Sequence, residues 1–201
     1  MKTLAAIILC AGESRRMGRP KALLACKGTG TTFLGHLLRI TAHPAIGIRR
    51  VVLGAAADEI QRAAALAPEV VVVNQDWQRG QLASLQVGMR SLPKDATDGF
   101  MLCPVDHPLI SALLIDKLIK AFRGEKKLIT MPTYQGHRGH PVIFAAPLYQ
   151  ELLTAPADAG ARAVVWAHQA DICEMPTNEE GVIQNLDDPD ALEKAMGAGK
   201  T

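Results

Sequence analysis

The chain has 201 residues, enough to bury one substantial core, and a single domain is the default at that length. Its 22 Lys and Arg nearly balance 20 Asp and Glu, leaving a formal net charge of +2, so nothing global favours nucleic acid or a membrane surface and any anion preference must be local. The longest apolar runs, such as residues 4–11 and 70–73, fall far short of a bilayer span.

Residues 1–3 lead through an apolar run into a charged loop rather than a signal cleavage site, which predicts a cytoplasmic protein. That run, residues 4–10, reads as a buried strand. It opens into Ala11-Gly12-Glu13-Ser14-Arg15-Arg16-Met17-Gly18-Arg19-Pro20-Lys21, a basic loop with glycines at both ends of its first half. Gly12 and Gly18 allow close approach of backbone N–H groups to phosphate oxygens, and Arg15, Arg16 and Lys21 supply charge-assisted donors. Five residues separate the glycines, which fits neither the Walker A spacing nor the dinucleotide fingerprint. The loop is therefore a different triphosphate loop or an ordinary basic turn.

Further strands are predicted over 50–54, 70–74, 99–103 and 128–131, and helices over 32–43, 58–66, 81–91, 110–122, 147–153 and 159–168. Strand and helix alternate, which predicts an α/β fold with a mainly parallel sheet covered on both faces. Ligands of such sheets sit beyond the carboxyl ends of the strands. That directs attention to the first loop, to Asn74 and to Asp106. Asp106 follows a buried strand and precedes Pro108, a position suited to holding magnesium with substrate phosphates, or to capping the next helix. Asp188 before Pro189 is a good helix N-cap, whereas Asn185 and Asp187 alternate on an extended segment and could face one ligand. Cys10, Cys26, Cys103 and Cys173 contain no Cys-x-x-Cys pair, which favours reduced thiols over a disulfide framework or zinc. Residues 1–196 are expected to form the domain and 197–201 a flexible tail.

The residues 9–18 with Lys21 resemble the signature of the nucleotidyltransferases that attach a nucleotide to molybdopterin, particularly the molybdenum cofactor cytidylyltransferases. The similarity continues through Asn74-Gln75-Asp76-Trp77-Gln78-Arg79-Gly80 to Ser84, Pro104-Val105-Asp106-His107-Pro108, Gly139-His140-Pro141-Val142, the segment ending in Arg162, and Asn185-Leu186-Asp187-Asp188-Pro189. The resemblance implies a three-layer α/β/α Rossmann-like nucleotidyltransferase fold. It also implies Mg-dependent transfer of CMP from CTP to the terminal phosphate of molybdopterin, with a molybdenum hydroxylase as downstream acceptor protein. Catalytic roles fall on Arg15, Lys21 and Asp106, and metal binding on Asp106 and Asp187. Nucleotide contacts are expected from Leu9, Ala11, Gly12, Ser14, Arg15, Arg16, Gly18, Lys21, Asn74, Gly80 and Ser84, and acceptor contacts from His140 and Arg162.

Ala11-Gly12 resembles the cytidylyl form of the loop, whereas the guanylyl form has Gly-Gly there. Cys10 departs from the usual Ala, and Asn185 stands where the cytidylyl pattern has Asp, which leaves Asp187 as the better metal ligand. Relatives with another base or acceptor, a flavin-dependent reductase on the same scaffold, and a non-catalytic cofactor carrier are the competing function classes.

Overall fold

The computed structural model describes residues 2–26, 28–156 and 160–197. In chain order its elements begin with β1 (Thr3–Cys10), the short pair β2 (Ala25–Cys26) and β3 (Thr31–Thr32), α1 (Phe33–Ile40), β4 (Ile46–Leu53), α2 (Ala57–Ala63), β5 (Val71–Val73) and α3 (Gln81–Arg90). They continue with β6 (Thr97–Pro104), α4 (Ala112–Glu125), β7 (Ile129–Tyr134), β8 (His137–Arg138), β9 (Val142–Ala145), α5 (Tyr149–Thr154), α6 (Arg162–Ala167), β10 (Ile172–Pro176) and α7 (Pro189–Gly197).

β1 forms an inner strand of the sheet because both of its faces are apolar. Leu4, Ala6, Ile8 and Cys10 enter one core, and Ala5, Ile7 and Leu9 enter the other. It pairs in parallel with β4 on one side and β6 on the other, within the order β10-β7-β9-β6-β1-β4-β5. β9 runs antiparallel to both β6 and β7, and β8 folds back on β7 as a short hairpin. The mainly parallel sheet expected from the alternation is present, with this reversed strand inserted.

Helices α1, α2 and α4 bury Phe33, Leu34, Leu37, Ile60, Leu114 and Leu118 on one face; α3, α5 and α6 bury Leu82, Leu85, Leu152 and Val164 on the other. The result is the three-layer arrangement. Thr32 caps α1 through its side chain, accepting from Gly35 N at 3.1 Å, and Ser111 does the same for α4 with Leu114 N at 3.1 Å. Gly88 lets α3 settle on the sheet: a Cβ there would lie 2.8 Å from methyls of both Ile7 and Val52.

β8, β9, β10 and the β2–β3 hairpin are not predicted from periodicity, because each is short and β10 is a part-exposed edge ending in Pro176. The predicted helix over 159–168 appears as α6, and Ala159 lies outside the described residues, as do residues 198–201 of the expected tail.

Candidate active site

The first loop leaves β1 at its carboxyl end and curls back on itself. Ser14 adopts a left-handed backbone, φ +56°, its Oγ accepts the Lys21 backbone N–H at 3.1 Å, and Gly18, φ +65°, closes the short turn between them. This loop, the end of β6 and the start of α3 enclose a cavity of about 330 Å³. Leu9, Ala11, Gly12, Ser14, Lys21, Gly80, Ser84 and Asp106 line it, so the structure brings together residues spread from position 9 to position 106. Trp77, Gln78 and Gln81 line it as well. Trp77 is held close by Gly54, where a Cβ would lie 2.4 Å from the Ala11 carbonyl and 2.7 Å from Trp77 Cβ. Cys10 lies buried under the loop, and burial, then the charges of Asp106 and Cys103, pushes its thiol far up, so it remains protonated and unreactive.

Not every predicted nucleotide contact faces this cavity. Arg15 turns to solvent with Glu13, Nε to Oε2 at 2.6 Å, and Arg16 lies at the rim against Asp187 at 3.2 Å and Asp188 at 3.6 Å. Gly18 shapes the loop without forming part of the wall. Asn74 is buried behind the cavity: its Nδ2 donates to Ser84 Oγ at 3.0 Å and its Oδ1 accepts from Asp76 N at 3.0 Å. It therefore positions Ser84 and the turn before α3.

Lys21 is the electrostatic centre. Its side chain is only 13% exposed, and its ammonium hydrogen-bonds to Asp187 and lies 3.5 Å from Asp106 Oδ2. The other Asp106 oxygen is buried without a hydrogen-bond partner. Partial burial alone would raise the Asp187 pKa, but the hydrogen bond and charge of Lys21, helped by Arg16 and the Asn185 side chain, hold it below the ordinary carboxylate value. Asn185 thus supports Asp187. Asp188 caps α7, accepting from Ala191 N at 2.8 Å.

Asp187 arrives from a segment far away in sequence, and backbone contacts fix its place. Leu186 N donates to Asp106 O at 2.8 Å, and Val182 O accepts from His140 N at 2.8 Å. Glu179 accepts from Ser111 N at 2.8 Å and from Ser111 Oγ at 2.6 Å. Contact this close requires glycine at 139, where a Cβ would lie 2.4 Å from the Val182 carbonyl.

A second cavity, of about 530 Å³, adjoins the first, with Leu9 and Gln81 common to both walls. His140 and Arg162 line it, with Arg138 and Trp166. His140 packs against His107, ring centroids 4.8 Å apart, and the Nδ1 atoms of both are buried without partners. Burial, then the charge of His107, lowers the His140 pKa to about 3, so it is a neutral hydrogen-bonding group at physiological pH. His107 is also lowered, by burial first and by Lys21, although Asp106 and Asp187 oppose the shift; its Nε2 is 4.0 Å from Asp106 Oδ1. Trp166 and Arg138 escape sequence reasoning, since a single exposed aromatic and a surface arginine carry no spacing signal.

Among the described residues no helix is long and apolar enough to cross a membrane, and no group of three or more His, Cys, Asp or Glu is arranged to hold a metal by itself. The crystal structure of Rv0371c from Mycobacterium tuberculosis H37Rv is similar over 98% of both chains, with a TM-score of 0.83 and 27% identity. A structure of Rv0371c in complex with manganese has a TM-score of 0.78 and 24% identity, covering 98% of this chain and 99% of that one. A protein named nicotine blue oxidoreductase from Paenarthrobacter nicotinovorans is 29% identical over 172 residues, 78% of each protein. A probable molybdenum cofactor guanylyltransferase from Mycobacterium ulcerans is 32% identical over 159 residues, 78% of this chain and 73% of that protein. Residues 6–172, which carry the first loop, Asp106, His140 and Arg162, match the MobA-like NTP transferase domain, and the chain belongs to that family.

Proposed function

We propose that this protein transfers the cytidylyl group of CTP to the terminal phosphate of molybdopterin and releases pyrophosphate, as a cytoplasmic enzyme serving a molybdenum hydroxylase. The observation that carries this reading is Lys21 in contact with both Asp106 and Asp187 beside two adjoining cavities. An oxygen of the acceptor phosphate attacks the α-phosphorus of CTP, a P–O bond forms, the bond to the β-phosphate oxygen breaks, and pyrophosphate carries that electron pair away. Such a transfer needs alignment of the two phosphates and neutralisation of charge, not a covalent enzyme intermediate.

Lys21 and the backbone N–H groups of the 11–18 loop hold the triphosphate, with Arg16 at the rim and the solvent-facing Arg15 able to turn inward toward its outer charges. Ser84, oriented by Asn74, meets the ribose or base. His140 offers the acceptor a hydrogen bond and Arg162 a positive charge. Asp106 and Asp187 converge on the Lys21 ammonium, and Asp106 keeps a second oxygen without a partner, a pair of carboxylates that fits magnesium, which commonly takes one or two protein carboxylates and completes its shell with phosphates and water. Bound there, the ion would neutralise charge on the reacting phosphates. The manganese complex of the similar Rv0371c supports a divalent cation in this fold.

The choice of CTP rests on Ala11, whose buried methyl stands where the guanylyl form of the loop has glycine. The relatives named as guanylyltransferases support the acceptor class and make GTP the competing base. The test is a competition: equimolar CTP, GTP and ATP with magnesium and molybdopterin, with products identified by mass. A cytosine dinucleotide is the expected product. A guanine dinucleotide would revise the base alone, and no dinucleotide of any kind would overturn the transferase reading.

A further inference from the structure

We propose that Trp166 is a stacking platform in the second cavity, which takes a planar heteroaromatic ring bearing a phosphate. The proposal deepens the acceptor side of the reading above and rests on it for the cavity's role. Trp166 is 65% exposed, an unusual state for an indole unless something covers it. It is not a stray surface residue: Arg162, Val165 and Trp166 all line the cavity, at the three- and four-residue spacings that share one face of α6. Val164, on the opposite side of that helix, is buried in the core and fixes which way this face points.

The chemistry of the wall selects the ligand class. Its floor is apolar, built from Leu82, Leu85, Leu102, Met131, Val142 and Phe144. Such a floor holds a ring by contact and offers few hydrogen bonds. Positive charge lies at the rim. The Arg162 guanidinium sits 5.9 Å from the Trp166 ring centroid, a cation–π contact that steadies the indole and places a phosphate-binding group next to it. Arg138 is neutralised by Glu174, with both Nε and Nη2 at 2.7 Å from Oε1. His140 adds a neutral hydrogen-bonding group. An indole, an adjacent guanidinium and an apolar floor together suit a flat ring with an anionic substituent, whose faces meet the indole and the floor while its polar edge can reach His140 and Arg162, better than a sugar, whose hydroxyl groups project all round and would be left unpaired on this floor.

The chain's two tryptophans make the test direct, because Trp77 lines the nucleotide cavity and Trp166 the other. The probes are a pterin with a phosphomonoester side chain, FMN, and glycerol 3-phosphate as a phosphate without a ring. In Trp77→Phe protein the remaining emission is expected to be quenched by the pterin phosphate and not by glycerol 3-phosphate. By calorimetry, Trp166→Ala should weaken pterin phosphate binding by about tenfold or more, as loss of one aromatic stack commonly does, while Trp166→Phe retains most of the affinity. CTP affinity should be the same in all three proteins that keep Trp77.

Wild-type affinity for the pterin phosphate in Trp166→Ala, or equal quenching by glycerol 3-phosphate, would overturn the proposal. Trp166-dependent binding of FMN in place of the pterin would uphold the stack and contradict molybdopterin as the acceptor. Binding is measured without turnover, so failure of nucleotidyl transfer and failure of the platform are separate results.

Discussion

Replacing Lys21 with methionine removes the ammonium while keeping the length of the side chain. In the wild type that ammonium bonds to Asp187 and lies 3.5 Å from Asp106, with the three side chains 13%, 28% and 22% exposed. A hydrogen bond to a charged group contributes roughly 1.5–3 kcal/mol, and the substitution also leaves two part-buried carboxylates together without their cation. A loss near 2 kcal/mol at neutral pH corresponds to a fall in Tm of about 4–8 °C for a chain of this size. The loss should depend on pH. Lys21 lowers the Asp187 pKa against its burial, so the wild type gains stability above the unfolded carboxylate pKa of about 3.9 and loses it as pH falls through the lower folded value. Without Lys21, only Arg16 and Asn185 remain to oppose the rise from burial, so the Asp187 pKa is held down less and the gap between variant and wild type narrows as the pH is lowered. Added magnesium should raise the Tm of Lys21→Met more than that of wild type, because the carboxylates have lost their internal cation. Transfer from CTP should slow by roughly 10²–10³-fold, the usual cost of deleting one preorganised donor to transition-state charge. Thermal melts across pH and steady-state kinetics would check both parts. A folded variant with wild-type turnover and a pH-independent loss of stability would show that Lys21 neither serves transfer nor holds down the Asp187 pKa.

Asp106→Asn should fold, since the lost charge leaves one oxygen and one amide in the same space, yet its magnesium requirement should shift to much higher concentration; titration of activity against magnesium reads this directly. Asn74→Ala should lower the Tm by several degrees, consistent with a buried hydrogen-bond loss of about 1–3 kcal/mol, and raise the KM for CTP through the released Ser84. His140 has a folded pKa of about 3 against about 6.5 unfolded, so it favours the folded state above pH 6.5 and that contribution disappears as pH falls toward 3. Denaturant unfolding of His140→Gln should accordingly show a shallower acid decline than wild type, with an upper bound to the difference of about 4–5 kcal/mol.

The parts of this fold written plainly in the sequence are those in which one physical demand dominates. The unbroken apolar run of β1 serves two cores at once, and only a strand covered on both faces needs that pattern. Asp106 is legible because Pro104 and Pro108 bracket it at the end of such a strand. What is not legible depends on tertiary partners. The direction of Arg15 is decided by Glu13 and solvent, and that of Arg16 by the Asp187–Asp188 turn that folding brings to it. β9 is four residues long and gains its place between β6 and β7 from pairing on both sides. Asn74 lies at the expected strand end, but its role as a support for Ser84 becomes visible only when α3 packs against that end. Trp166 has no signal in the sequence beyond being aromatic, and its meaning comes from the cavity beside it.

Acceptor-dependent pyrophosphate release is the direct readout of nucleotidyl transfer to molybdopterin. Purified protein with magnesium and CTP should release pyrophosphate only when molybdopterin is present, in a one-to-one ratio with dinucleotide formed. Release that ignores the acceptor, or none with CTP, GTP or ATP while molybdopterin remains bound, would contradict it.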